Sequence, residues 1–132
     1  LISPMRFALK APSFPQYPNP HLRSNAFLTR TEVFTEFARN RRIPRTKTDA
    51  HRLENGRIGF TRFLNARGLT PVVAGADGKA YGPSAWVDSR TFRVPGQENL
   101  LIADNQTRAY DAASRRVRRI MEYSAWGRFL TP

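Results

Sequence analysis

Residues 104–130 read DNQTRAYDAASRRVRRIMEYSAWGRFL, and this stretch decides the fold that the sequence predicts. At about 3.6 residues per turn, a helix over residues 104–126 gathers apolar and small side chains on one stripe. These are Tyr110, Ala113, Val117, Ile120, Met121 and Ser124. Asp104 or Asn105 can cap its first turn, and Gly127 supplies the left-handed residue with which helices commonly end. The sequence therefore predicts an amphipathic helix with a narrow apolar face.

Four arginines flank this stripe, namely Arg115, Arg116, Arg118 and Arg119. Arg115 and Arg119 are four residues apart and so share one side of the helix. A narrow apolar face beside concentrated positive charge is typical of a helix that docks on a partner. We therefore take these four arginines as candidate partner-binding residues.

The composition supports contact with acidic or phosphate-bearing partners. The formal net charge is +12, and the 22 basic residues comprise 19 Arg and 3 Lys. Arginine pairs bidentately with phosphate or carboxylate, whereas lysine would serve equally well for solubility alone. A GC-rich genome would produce the same bias and is the alternative explanation. The absence of cysteine excludes disulfides, thiolate metal sites and cysteine nucleophiles.

Residues 1–28 contain five prolines, which remove backbone donors and bias the preceding residues towards an extended conformation. Phe7, Phe14 and Tyr17 interleave with these prolines, although disordered tails tend to be poor in aromatic residues. The sequence predicts an extended arm over residues 1–28 that lies along another surface. An arm wrapped around its own domain is the alternative.

A helix over residues 30–42 is predicted because Thr29 and Glu32 have the spacing of a capping box. Its end carries the densest basic patch of the chain. The candidate partner-binding residues there are Arg39, Arg41, Arg42 and Arg45. This patch can grip a phosphate backbone, or it can be a solvated helix end whose charges suit the helix dipole.

The remaining segments complete a mainly α fold class. A helix is predicted over residues 49–67, which two glycines either weaken or split, and which Gly68 ends. The segment over residues 69–98 has no net charge; Asp77 and Gly78 predict a small hairpin in it, and a short strand follows over residues 90–94. We thus expect one small helical domain over residues 29–132, with an irregular or short-hairpin middle and the Pro-rich arm in front.

The sequence predicts no catalytic, cofactor or metal site and no small-molecule substrate. Neither His21 nor His51 has a metal-ligand partner at a suitable spacing, and no nucleophile elbow or phosphate-loop motif is present. No run approaches the roughly 18 apolar residues that cross a bilayer. The chain begins at Leu1, and with its Arg-rich composition this leads us to expect a mitochondrial protein with a removed presequence; a boundary within a longer chain is the alternative.

Residues 110–132, YDAASRRVRRIMEYSAWGRFLTP, resemble a helix of the small matrix-side subunit of respiratory complex III, the ubiquinol–cytochrome c reductase binding-protein family. The comparable positions here are Tyr110, Asp111, Arg115 or Arg116, Val117, Arg118, Arg119, Met121, Glu122, Ser124, Leu130 and Pro132. Residues 63–69, FLNARGL, are similar to the end of the first helix in that family. In all, the resemblance covers residues 63–69 and about residues 99–132. After Leu69 the chain departs from the family, since TPVVAGADG replaces an acidic Tyr-Asp-Asp-Leu.

The resemblance implies a non-catalytic accessory subunit of a mitochondrial inner-membrane respiratory complex, most specifically a complex III small subunit that contributes to assembly and stability. It would lie peripherally on the matrix side, without a transmembrane helix. Its partners would be other protein subunits of a large assembly and anionic lipid headgroups. Composition favours an alternative, a mitochondrial ribosomal protein whose Arg-rich segments bind rRNA phosphates.

Overall fold

The computed structural model describes residues 20–39 and 41–132. They fall into two compact units, over residues 20–71 and 72–132. The single domain over residues 29–132 stays a prediction. The buried aromatic side chains of the first unit are Phe37 and Phe60, and those of the second are Trp86 and Tyr110. Most of the predicted arm, residues 1–19, lies outside the described residues.

The first unit contains three short helices. They are α1 (Thr31–Ala38), α2 (Lys47–Asn55) and α3 (Phe60–Asn65). The predicted capping box of α1 is wrong, because Arg30 holds the N-cap position and no side chain caps the helix. The helix also ends earlier than residue 42. Beyond Ala38, the side chain of Arg41 turns back and its Nε donates to Phe37 O at 3.0 Å.

The predicted helix over residues 49–67 is split, which is the alternative that its two glycines allowed. A Cβ on Gly56 would lie 2.5 Å from Arg52 O, so only glycine permits this close approach of backbone. Thr46 and Asp49 form a capping box at the start of α2. The predicted C-terminal signal of α3 is confirmed, since Gly68 has φ 69°.

Aromatic rings form the core of the first unit. Phe37, Phe60 and Leu64 are buried, and the Phe37 and Phe60 ring centroids lie 4.7 Å apart. Burying such a side chain fully stabilises a fold by about 1.5–3 kcal/mol. Leu22 joins this core, and its N–H donates to Thr61 Oγ1 at 3.0 Å.

The second unit begins with the predicted hairpin. Strands β1 (Val73–Ala74) and β2 (Ala80–Tyr81) pair antiparallel, with Val73 opposite Tyr81. A 3-10 turn over Pro83–Ala85 follows, and then an irregular segment up to residue 104. The predicted strand over residues 90–94 is wrong: Arg90 and Arg93 have φ of 55° and 48°, values incompatible with a strand.

The stretch that decided the fold forms two helices, α4 (Asn105–Ala112) and α5 (Arg115–Trp126), and not one continuous helix. Ala113 and Ser114 between them are extended, with ψ of 150° and 157°. Asp104 caps α4 by accepting from Gln106 N and Thr107 N, and Gly127 ends α5 with φ 70°. Both end signals are confirmed, and the fold class is mainly α.

Candidate docking surfaces

A buried carboxylate organises the second unit. Glu122 of α5 is completely buried, and it accepts from the Tyr110 hydroxyl at 2.6 Å and from Leu130 N and Thr131 N at 2.7 and 2.8 Å. The Thr131 hydroxyl donates to the same group. Burial raises the pKa of Glu122, but these hydrogen bonds together lower it below the usual value. The carboxylate therefore stays ionised and joins α4, α5 and the segment after α5.

The pKa of Tyr110, the hydrogen-bond partner of Glu122, is shifted in the opposite direction. Burial, followed by the hydrogen bond to Glu122, raises the pKa of Tyr110 to about 12. The Tyr110 hydroxyl is therefore a proton donor at any physiological pH. Both side chains are completely buried, and their hydrogen bond joins α4 to α5.

Three of the four arginines of α5 are engaged with the chain's own backbone. Arg118 donates from Nε to Tyr110 O at 3.1 Å and from Nη2 to the carbonyl of Asp111. Arg119 donates to Thr131 O at 3.0 Å, and Arg115 donates to the carbonyl of Pro132. These guanidinium groups satisfy carbonyls at the end of α4 and after α5.

Arg116 differs from its three neighbours. It is exposed and makes no hydrogen bond or ion pair with any part of the chain that the structure describes. Of the four candidate partner-binding residues on α5, it is therefore the one whose charge is left for a second molecule.

Part of the apolar side of α5 is exposed to solvent. Val117, Ile120 and Tyr123 remain 45%, 47% and 40% exposed. The Tyr123 ring packs on that of Phe129, with centroids 5.3 Å apart, and Phe129 is itself exposed. We call these four side chains the outward face of α5. The helix thus buries Glu122 and leaves Val117, Ile120 and Tyr123 partly exposed to solvent.

The basic patch of the first unit borders a cleft of about 1130 Å³. Arg41 lies with its guanidinium 4.0 Å from the Phe37 ring centroid, while Arg42 and Arg45 are exposed beside it. The side chains of Arg42 and Arg45 make no hydrogen bond or ion pair within the described residues. Arg39, the fourth predicted residue, is exposed at the end of α1 but does not line the cleft.

Two carboxylates also line this cleft, and both are engaged within the chain. Glu36 pairs with Arg67, whose hydrogen bond lowers the pKa of the carboxyl. Asp49 accepts from Thr46 N at 3.1 Å in the capping box of α2. Hydrogen bonds from Thr46 and from the backbone of Arg45 lower the pKa of Asp49. The acidic groups of the cleft therefore stay ionised in internal contacts.

Sequence reasoning missed Glu122 and the cleft. A lone glutamate on an arginine-rich helix carries no local signal of burial, since its partners lie 8–12 residues away. The cleft combines residues from Glu36 to Phe63, which local patterns do not bring together. His51, judged ordinary from the sequence, is half-buried, and this burial lowers its pKa.

Neither a metal-binding group of side chains nor a membrane-spanning helix is found among the described residues. Residues 20–39 and 41–132 hold no group of three or more His, Asp or Glu side chains that could bind a metal ion. In the same ranges, no helix combines the length and the apolar composition needed to cross a membrane. No family model, curated protein or solved structure matches the chain.

Proposed function

We propose that this chain is a non-catalytic accessory subunit of a mitochondrial inner-membrane respiratory complex, most specifically the small matrix-side subunit of complex III, where it contributes to assembly and stability. The observation that carries the proposal is the outward face of α5. A helix of an independent domain normally buries its apolar stripe and exposes its charges. In α5, Glu122 is completely buried while Val117 and Ile120 are nearly half exposed, so part of the apolar face is left uncovered.

The outward face has the chemistry of a protein-binding helix. Amphipathic helices bind partners by laying apolar side chains at spacings of three and four residues into a groove, and Val117 and Ile120 have that spacing. Arg116 lies beside them and has no partner among the described residues. In the proposed complex it meets acidic loops of a neighbouring subunit or the phosphate of an anionic lipid.

The choice of complex III rests on the resemblance of residues 110–132 and 63–69 to its small matrix-side subunit. The peripheral, matrix-side position comes from that resemblance as well. An excess of positive charge suits such a position, since cytoplasmic-type leaflets rich in anionic lipid attract Lys and Arg near the surface.

A mitochondrial ribosomal protein is the second candidate function. The observation that favours it is the pair Arg42 and Arg45, which are exposed and unpaired within the described residues, in a chain with net charge +12. Arginines in this state can neutralise rRNA phosphates, and their binding would weaken steeply as salt is added.

A double substitution on the outward face separates the two functions. The variant Val117→Ser/Ile120→Ser is compared with Leu101→Ser/Ile102→Ser, which removes two somewhat more exposed aliphatics elsewhere in the same unit. Tagged chains are expressed in source cells, and detergent extracts are analysed on native gels for the haem of cytochromes b and c1. We expect the parent and the control to co-migrate with haem, and the outward-face variant to be lost from that band.

The same extracts are run on sucrose gradients and probed for rRNA. Co-sedimentation of the parent chain with rRNA, with none of it in the haem-containing band, would overturn the respiratory assignment in favour of the ribosomal one. Unchanged co-migration of Val117→Ser/Ile120→Ser with haem would show that α5 is not the docking element.

A further inference from the structure

We propose that the cleft of the first unit binds an acidic, amphipathic segment of a partner protein. This inference rests on the proposed function as a subunit of a larger assembly, but it concerns a different surface from the outward face of α5. The cleft lies wholly within residues 36–63, between the end of α1, the segment that follows it, α2 and the start of α3.

The charge of the cleft is unbalanced. Four arginines and two carboxylates line it, and the carboxylates of Glu36 and Asp49 are already held by the chain itself. The side chains of Arg42 and Arg45 have no such partner among the described residues. Two cations at one rim therefore remain for an incoming carboxylate or phosphate, and Arg is well suited to hold either bidentately.

The apolar side chains of the cleft favour a protein segment over a phosphate backbone. Ile43 is 85% exposed and Ile58 is 77% exposed, and both line the cleft with the arginines. An RNA strand would leave these aliphatics in water. A segment with acidic side chains on one face and aliphatic side chains on the other would cover Ile43 and Ile58 while it pairs with Arg42 and Arg45.

The aromatic rings of the cleft are not available for base stacking. Phe37 is only 3% exposed, and the Arg41 guanidinium lies 4.0 Å from its ring centroid. The Arg67 guanidinium lies 3.5 Å from the Phe63 centroid. Sequence-tolerant binding of single-stranded nucleic acid uses open aromatic faces, which this cleft does not offer. The chain's own residues 1–19 carry no Asp or Glu, so they lack the complementary charge.

The test measures binding of defined probes to the full chain at about 0.15 M salt. The probe is a fluorescent 18-residue synthetic peptide that places Glu and Leu on opposite faces of a helix. Its matched controls are the same peptide with Lys in place of Glu, an 18-nucleotide single-stranded RNA, and vesicles of phosphatidylcholine with anionic phosphatidylglycerol.

Three double variants separate the contributions to binding. Arg42→Gln/Arg45→Gln removes the free cations, and Ile43→Ser/Ile58→Ser removes the exposed aliphatics. Arg30→Gln/Arg62→Gln removes the same charge from exposed positions outside the cleft. We expect each cleft variant to weaken binding of the Glu/Leu peptide at least tenfold and the control pair to change it less than twofold.

Several results would overturn the proposal. They are equal binding of the Lys/Leu peptide, no saturable binding of the Glu/Leu peptide, and RNA binding that the arginine variant weakens but the isoleucine variant does not. Vesicle binding that exceeds peptide binding and depends on the same four residues would also refute it. None of these results changes the outcome expected for Val117→Ser/Ile120→Ser in the haem-containing band, so failure of the cleft and failure of the proposed function remain distinguishable.

Discussion

The Tyr110 hydroxyl lies 2.6 Å from Glu122 Oε1, and both side chains are completely buried. The bond joins α4 to α5 across the break at Ala113 and Ser114. Through the same carboxylate it also reaches the backbone after α5, at Leu130. One buried, hydrogen-bonded carboxylate therefore joins α4, α5 and the segment after α5.

Replacing this carboxylate with an amide should loosen the second unit. Glu122→Gln keeps the shape but turns an NH₂ donor towards groups that are themselves donors, and a buried unsatisfied polar group costs about 1–3 kcal/mol. Both tryptophans of the chain, Trp86 and Trp126, lie in this unit, so their fluorescence in a urea titration reports its unfolding.

The control for this substitution is Glu98→Gln, since Glu98 forms an exposed ion pair with Arg90. Such a pair contributes about 0–1 kcal/mol. Equal effects of the two substitutions would contradict the role assigned to Glu122.

Acid should destabilise the second unit through the same carboxylate. The pKa of Glu122 is lower in the folded chain than its ordinary value of 4.5, so the unfolded chain binds the proton more tightly. Its stabilising contribution is present in full above that ordinary value and is lost as pH falls through the lower, folded pKa. Urea midpoints followed by tryptophan fluorescence between pH 7 and pH 3 should fall more for the parent than for Glu122→Gln. Parallel pH profiles would refute this linkage.

Substitutions of Arg116 and Arg118 should differ in their effect on the free energy of unfolding, although each removes one charge from α5. Arg118→Gln removes hydrogen bonds to the carbonyls of Tyr110 and Asp111, and we expect a loss of about 1–2 kcal/mol of unfolding free energy. Arg116→Gln removes a side chain that has no partner within residues 20–39 and 41–132, so stability should change by less than about 0.5 kcal/mol. Thermal melts of the two variants provide the measurement, and the opposite ranking would show that Arg116 has a structural role.

Two glycines should respond oppositely to alanine. A methyl group on Gly56 would lie 2.5 Å from Arg52 O, and relieving such crowding typically costs about 1–3 kcal/mol. Gly82 has φ −70° and open space around it, so Gly82→Ala should stabilise the chain by about 0.4–1 kcal/mol through the unfolded state. Hydrogen exchange of amides in each unit would report both effects; slower exchange around α2 in Gly56→Ala would contradict the first.

Three helix ends were predictable from the sequence, because caps act over three or four residues, whereas both ends of α1 were predicted wrongly. Asp104, Gly68 and Gly127 each hold the position that their residue type predicts. The break between α4 and α5 was not predictable, since Ala112, Ala113 and Ser114 include no helix breaker. The break brings the Tyr110 hydroxyl within hydrogen-bond distance of Glu122, twelve residues along the chain, and that is a tertiary contact.

The sequence indicated arginine as the residue type of the candidate partner-binding positions, but not which of these arginines contact the chain itself. The sequence singled out eight arginines as partner-binding residues, and which of them bind a partner stays a prediction. Arg118 and Arg119 donate to carbonyls 8 and 12 residues away, a reach that no local pattern encodes. Arg42, Arg45 and Arg116 look no different in sequence, yet their guanidinium groups are not engaged within the described residues.

The irregular segment before α4 has a consequence for variation in chain length. Surface loops ordinarily tolerate inserted or deleted residues, but this one holds Arg90, Arg93 and Gln97 at positive φ. The Gln97 amide also donates to Thr107 O and Asp111 Oδ1, so that its position fixes α4. Adding or removing one residue between 90 and 97 would shift every one of these bonds at once. The least regular part of the second unit is therefore the part in which insertions and deletions should be tolerated least.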